Sequence, residues 1–264
     1  APDFSLWVVH NVSICNTADR GIAFSTSRGG NVNIIKAEIY KALGYGILSS
    51  GEVNIIDSRI YSNGEGIDVR GTDAFPDQES FIANSIIYNN TYGINMWSRA
   101  TVINSVVSKN YFGFYFPYSP FGITIYNTIA YNDTFKDFNV NPSVNTIEDY
   151  NIWGNFVPLG AKSFVANPLF VDSANNNFNV LNTSSVIDNG TIIEGYHCST
   201  AGAHPGENCG AWYGSTPDIG AYEYNPETTS CMTQGELNIE LKKFVDMQSG
   251  IVDAANKVIE YLGC

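Results

Sequence analysis

The sequence predicts an all-β fold: a right-handed parallel β-helix, with a small α-helical hairpin at its C-terminal end. Three observations carry this expectation. A short motif, polar then apolar and often ending in tyrosine, recurs along the chain. A glycine–apolar pair follows most copies at a near-constant distance. A polar column precedes the motif at a constant offset.

The motif stands at Val12-Ser13-Ile14-Cys15, Ala37-Glu38-Ile39-Tyr40, Ser58-Arg59-Ile60-Tyr61, Ser85-Ile86-Ile87-Tyr88, Ser105-Val106-Val107-Ser108, Thr128-Ile129-Ala130-Tyr131 and Tyr150-Asn151-Ile152-Trp153. Its anchors Ile14, Ile39, Ile60, Ile87, Val107, Ala130 and Ile152 are 25, 21, 27, 20, 23 and 22 residues apart. Gly21-Ile22, Gly46-Ile47, Gly66-Ile67, Gly93-Ile94 and Gly113-Phe114 follow six or seven residues later. Short segments with period-2 alternation between Asn- and Gly-rich turns read as strands. An antiparallel sandwich also uses short strands, but its strands need not repeat one another. In a coil each residue lies about 4.8 Å above its counterpart one rung below. Asp57, Asn84, Asn104 and Asn127 each precede their anchor by three residues, so their side chains can form a hydrogen-bonded ladder. Ile14, Ile39, Ile60, Ile87, Val107 and Ile152 are expected to point inward, with parallel stacking from about Phe4 to Tyr224.

These repeats resemble those of right-handed parallel β-helix proteins of the pectate-lyase-like superfamily. The downstream stretches Asn167-Pro168-Leu169-Phe170-Val171-Asp172, Asn177-Phe178-Asn179-Val180, Ser185-Val186-Ile187-Asp188-Asn189-Gly190 and Pro217-Asp218-Ile219-Gly220-Ala221-Tyr222-Glu223-Tyr224 look like the closing region of secreted β-helix proteins. The resemblance covers residues 4–225 and implies that this region forms the last rungs. It implies no single activity, because the superfamily holds lyases, hydrolases, epimerases and adhesins alike.

A β-helix over residues 1–225 is thus expected, then a helical hairpin over 226–264. Asn225-Pro226 breaks the β pattern, and Thr233 with Glu236 forms a capping box. Leu237, Leu241 and Phe244 share one face; after Ser249-Gly250, Ile251, Val252, Ala255, Val258, Ile259 and Leu262 recur at helical spacing. The pair distantly resembles the helices of dockerin-type modules, without their Asp-rich calcium loop. Cap and docking module are both open readings. An antiparallel pair would bring Cys231 to Cys264, and Cys198 and Cys209 flank a Gly/Pro-rich loop, so two disulfides are expected, Cys198–Cys209 and Cys231–Cys264. Cys15 is left over.

Composition narrows the function. Of 264 residues, 26 are acidic and 13 basic, for a net charge of −13, which argues against nucleic acid as a partner. No apolar run approaches the roughly 18 residues of a spanning helix. A start at Ala1-Pro2-Asp3 reads as a mature chain after signal removal, or as a shortened one. Sequons at Asn11, Asn89, Asn132, Asn182 and Asn189 also point outside the cell. The expected location is extracellular or on the cell surface.

The candidate site is the third full rung and its insertion. Asp68 and Arg70 alternate along one strand and should share an outer face. The matching positions one rung on are Asn95 and Trp97, and then Tyr115 and Pro117, making an exposed patch of acid, base, amide and aromatics. Asp68 and Arg70 are the catalytic candidates if the protein is an enzyme. Asp68, Arg70, Asn95, Trp97 and Tyr115 are the glycan-binding candidates. Asp73, Asp77 and Glu79 are candidate calcium ligands, and calcium is the candidate cofactor. The plain alternatives are a surface ion pair and an ordinary loop. Asp172 to Asn177 reads as a calcium loop or, more simply, as a turn. His10, His197 and His204 show no metal-ligand spacing. No nucleophile elbow, phosphate loop or dinucleotide fingerprint is present.

The expected function is that of an extracellular structural or interaction protein, self-assembling or glycan-recognising, without strong catalysis. Its expected partners are itself, other surface proteins or a polysaccharide. The alternative is a calcium-dependent polysaccharide lyase or glycoside hydrolase acting on acidic polysaccharide.

Overall fold

The structure is a computed structural model that describes residues 6–25, 30–70, 79–117, 122–194, 196–197 and 212–225. Contacts divide the chain into Ala1–Tyr224 and Asn225–Cys264, and the description concerns the first unit. The expected hairpin over 226–264 and the cysteines Cys198, Cys209, Cys231 and Cys264 lie outside the described residues.

The first unit is a parallel β-solenoid whose turns each contribute one strand to each of three sheets, of seven, eight and six strands. The first sheet runs from Leu6–His10 to Thr146–Asp149, the second from Ser13–Cys15 to Phe164–Val165, and the third from Arg20–Phe24 to Lys136–Val140. Every pairing within these three sheets is parallel, for example Ile39↔Ile60, Ile60↔Ile87 and Ile87↔Val107.

Local chemistry sets the corners. The chain turns from first to second sheet through one left-handed residue per rung: Asn11, Lys36, Asp57, Asn84, Asn104, Asn127 and Tyr150, all with φ between 44° and 56°. A second such column leaves the second sheet at Asn16, Lys41, Ser62, Asn89, Lys109 and Asn132. Asn and Asp tolerate this region best among residues with a side chain, which accounts for the asparagines at these corners. In the expected ladder Asn84 donates to Asp57 and Asn127 to Asn104, each at 3.2 Å. The glycine column enters the third sheet where there is no room for Cβ: at Gly93 it would lie 2.6 Å from Gly113 O and 2.9 Å from Asn110 Nδ2.

The interior is a stack of aliphatic columns. Ile39, Ile60, Ile87 and Val107 are fully buried, as are Ile34, Ile55, Ile82, Val102 and Ile125 from the first sheet. Complete burial of such a side chain contributes about 1.5–3 kcal/mol. Ile14, on the first rung, is half-buried against the same core. Ile152 departs from the expected inward column. Ala130 pairs with Trp153, and Ile152 pairs with Ile129 on the opposite face. A one-residue shift reverses the face in a strand, so Trp153 fills the core and Ile152 packs outside it.

The expectation that the closing region forms the last rungs is also corrected. Among the described residues parallel stacking ends at Phe164–Val165. Phe170–Asp172 and Asn177–Val180 then form a separate antiparallel pair. The chain folds back along the outside of the second sheet, burying Phe178, Val180, Val186 and Ile219 against Ile86, Tyr88, Val106, Ile129 and Ile152. Long-range bonds tie it down: Lys109 Nζ reaches Ser173 O and Asn176 Oδ1, both at 2.9 Å, and Gly220 N reaches Asn127 O at 2.8 Å. The apolar residues on the outer face of that sheet are what this segment covers.

Glu148 closes the far end of the core. It stands in the inward register of Ile125 and is buried. It accepts from Asn151 Nδ2 at 2.9 Å, Trp153 Nε1 at 3.2 Å, Gly160 N at 2.8 Å and Ser163 Oγ at 2.5 Å, and also from Leu159 N.

Candidate functional site

The outer face of the third sheet carries the site. Leu48, Asp68, Asn95 and Tyr115 stand in one register column, and Tyr45, Glu65, Tyr92 and Phe112 in a second. Arg70 and Trp97 leave the ends of adjacent strands, with Trp97 N bonded to Val69 O at 2.9 Å. Glu65, Arg70, Tyr92, Asn95, Trp97 and Tyr115 together line a depression of about 380 Å³. Arg70 also borders a second depression, shared with Arg20, Phe24, Leu48 and Ser50.

The expected exposure of Asp68 and Asn95 is not found: Asn95 is buried, and the Asp68 side chain is 0% accessible, whereas that of Arg70 is 53% accessible. Arg70 closes over it. Nε and Nη2 both lie 2.7 Å from Asp68 Oδ2, and Nη2 lies 2.7 Å from the Tyr45 hydroxyl. Asp68 Oδ1 is buried without a hydrogen-bond partner among the described residues. Burial raises the Asp68 carboxyl above its ordinary value, and the bond from Arg70 offsets this only in part. The bond to Asp68 in turn pushes the Arg70 guanidinium up, keeping it protonated. Glu65 accepts from Asn95 Nδ2 at 3.1 Å, and burial raises its carboxyl as well.

The aromatic side chains extend beyond the depression. Tyr92 stacks on Phe112 at 5.3 Å and meets Tyr115 at 4.9 Å. Phe112 meets Phe135 edge-on at 5.1 Å, and Tyr111 stacks on Phe135 at 5.5 Å. Trp97, Tyr111 and Phe135 are exposed, at 39%, 46% and 54%.

The structure gathers Asp68, Arg70, Asn95, Trp97 and Tyr115 as the rung alignment predicts. It does not bring Glu79 to them. Glu79 begins a first-sheet strand, accepts from Thr101 Oγ1, and borders a different depression with Arg99 and Thr124. Asp73 and Asp77 lie outside the described residues. Among the described residues no group of three or more His, Cys, Asp or Glu is placed to hold a metal ion. Asp172 caps the short helix Ser173–Asn175, accepting from Asn175 N at 3.2 Å and Asn175 Nδ2 at 2.7 Å. Tyr45, Glu65 and Tyr92 were missed in the sequence. Their signal is the residue just before each glycine–apolar pair, one per rung.

The sequon asparagines Asn11, Asn89, Asn132, Asn182 and Asn189 are all exposed. Cys15 is exposed and its thiol is free. No helix among the described residues is long and apolar enough to cross a membrane.

Three parallel sheets stacked rung upon rung place the chain among the parallel β-helix proteins. The chain belongs to the family described as the right handed beta helix region, whose model matches residues 20–211. Among solved structures it is similar to the crystal structure of pectate lyase Pel9A, with 16% identity and a TM-score of 0.59. The match covers 83% of this chain and 65% of that one, so this chain spans just under two thirds of its length. No curated protein matches.

Proposed function

We propose that the protein recognises a glycan on the outer face of the third sheet and does not cleave it. One observation carries this reading: the depression lined by Tyr92, Trp97 and Tyr115 offers aromatic surface, while its charged groups are paired within the protein. Aromatic faces pack on the C–H faces of sugar rings, and a few fixed polar groups around an apolar floor give orientation. A lyase needs a base within hydrogen-bond reach of the sugar's acidic carbon. Asp68 is sealed, and Arg70 is held protonated by the carboxylate beneath it. The sequons support an extracellular setting for this role.

The test is calorimetric titration with neutral and uronate oligosaccharides, beside a cleavage assay with and without calcium. Binding that weakens about tenfold in Trp97→Ala, one tenfold step being about 1.4 kcal/mol, without cleavage, is the expected result. Cleavage lost in Arg70→Ala would overturn it in favour of a lyase or hydrolase, and so would failure to bind any glycan.

A second reading, self-association through the first rung, has its own observation. Trp7 occupies the inward register of the buried Val32 yet is 57% exposed, with Leu6 and Val8 at 63% and 58%. Among the described residues the strands Leu6–His10, Ser13–Cys15 and Arg20–Phe24 pair on one side only, and such edges accept another chain. A second copy of this solenoid offers three matching edges at once. Sedimentation of the wild type and Trp7→Glu tests it: a dimer or larger species lost in the variant supports it, and a wild-type monomer at all concentrations removes it.

A further inference from the structure

A buried amide ladder runs along the corner between the second and third sheets. Asn63 Nδ2 donates to Asn90 Oδ1 at 3.2 Å, Asn90 Nδ2 to Asn110 Oδ1 at 3.1 Å, and Asn110 Nδ2 to Asp133 Oδ1 at 3.0 Å. The backbone follows the same rule: Asn63 N, Asn90 N and Asn110 N donate to the same oxygens at 2.9, 3.0 and 2.7 Å. Each amide nitrogen also donates to an anchor carbonyl, of Ile39, Ile60 or Ile87, at 3.2 Å.

At the fourth position the sequence changes from Asn to Asp. Asp133 Oδ1 accepts as an amide oxygen would. Asp133 Oδ2 stands where each earlier rung has a donor nitrogen: it lies against Gly113 as Asn110 Nδ2 lies against Gly93. It is buried and has no hydrogen-bond partner among the described residues. By the ladder's rule its acceptor is the oxygen that takes Asp133 N, which is Asp137 Oδ1, at 3.3 Å. Asp137 is fully buried, and its Oδ2 accepts from Gly154 N at 2.6 Å and Asn155 N at 2.5 Å. The groups facing the pair are Asn110 and Gly113 on one side and Gly154, Asn155 and Tyr131 on the other, none of them cationic. Lys109, on the same corner, is turned to Ser173 and Asn176.

We propose that Asp133 is a carboxylic acid in the folded protein and donates its proton to Asp137, so that one resident proton replaces the missing amide hydrogen of the ladder. Two ionised carboxylates cannot share a buried contact without a cation. Burial, and then the charge of Asp137, hold the Asp133 carboxyl well above its ordinary value. The sign follows from linkage. An acid whose folded value is raised stabilises fully below its unfolded value, and that contribution is lost as pH rises through the folded value. Removal of the proton opens the ladder at the turn that carries Phe135, the outermost ring of the aromatic strip. The proposal does not depend on that strip's taking a ligand.

Asp133→Asn supplies the amide hydrogen directly. The wild type is expected to show the infrared carbonyl stretch of a protonated carboxylic acid near neutral pH, and Asp133→Asn to lack that component. The variant is expected to melt a few degrees higher than the wild type at about pH 9, the difference shrinking towards about pH 5. An unchanged infrared spectrum, or a melting difference that does not vary with pH, overturns the proposal. If Asp133→Asn fails to fold, Asp137→Asn carries the test: its amide can donate to an ionised Asp133, so the acid band again weakens by one carboxyl beside the band that Glu223 gives in every variant, and a band of undiminished intensity counts against the pair. A divalent cation that raises the wild-type melting temperature, with no effect on Asp133→Asn, overturns the proposal in favour of a bridging metal.

Discussion

Arg70 lies across the carboxylate of Asp68 with two nitrogens 2.7 Å from one buried oxygen. The two partners differ in exposure, so removing them has unequal consequences. Arg70→Ala leaves a buried carboxylate without its cation, whereas Asp68→Ala frees a guanidinium that already reaches water. Breaking a buried pair costs about 3–5 kcal/mol, and the half-exposed arginine places this one nearer about 2–3 kcal/mol. Urea denaturation should rank Arg70→Ala as less stable than Asp68→Ala, and the double variant Arg70→Ala/Asp68→Asn should recover part of the loss. Because burial already raises Asp68, the defect of Arg70→Ala should shrink in acid, where the carboxyl is neutral.

Gly93→Ala tests the close approach of successive rungs. The added Cβ would lie 2.6 Å from Gly113 O and 2.9 Å from Asn110 Nδ2, against backbone and a hydrogen-bonded ladder amide. Overpacking of this kind costs about 1–3 kcal/mol. The melting temperature should fall, whereas Gly→Ala at an open turn would leave it unchanged or raise it.

Two carboxylates should respond to pH with opposite sign. Burial pushes Glu223 up to about 8, with the charge of Asp218 adding to it. Its stabilising contribution is complete below the ordinary glutamate range and is lost as pH rises towards about 8. Burial also pushes Glu148 up, but the bonds from Ser163, Asn151, Gly160 and Leu159 outweigh it and leave the group below its ordinary value. Its contribution is present above that value and is lost as pH falls through the lowered one. Melting curves of Glu223→Gln should therefore gain on the wild type at alkaline pH. Those of Glu148→Gln should lose most at neutral pH and converge on the wild type in acid.

Phe178→Ala tests whether the folded-back segment is structural. Phe178 is 2% exposed and meets Tyr88 and Phe170, each at 5.2 Å. Truncating a buried Phe costs about 3–5 kcal/mol. Limited proteolysis should then cut within residues 166–190 before the rungs. Simultaneous loss of rungs and segment would show that the two unfold as one unit.

The repeat was legible because each rung answers to local rules. A left-handed corner wants Asn or Asp, a crowded corner admits only Gly, and an interior column wants Ile or Val. The candidate site was half legible. Rung alignment places Asp68, Asn95 and Tyr115 in one column, but exposure cannot be read from alternation, because Arg70 and Tyr45 bond to each other and Arg70 closes over Asp68. The buried Asn63–Asp133 ladder was also readable, three residues after each anchor.

The sequence alone determined the coil, its corners and most of its core, since those follow from residues repeated at each turn. Tertiary structure decided what has no repeat to announce it. It shifted the last rung by one residue, placing Trp153 rather than Ile152 inside. It laid the closing segment over the second sheet through contacts such as Lys109 with Asn176 and Asn127 with Gly220. It also set the one aspartate of an amide ladder against a second carboxylate. These outcomes turn on which surfaces meet across long stretches of chain, and a periodic pattern specifies only what each rung offers to the next.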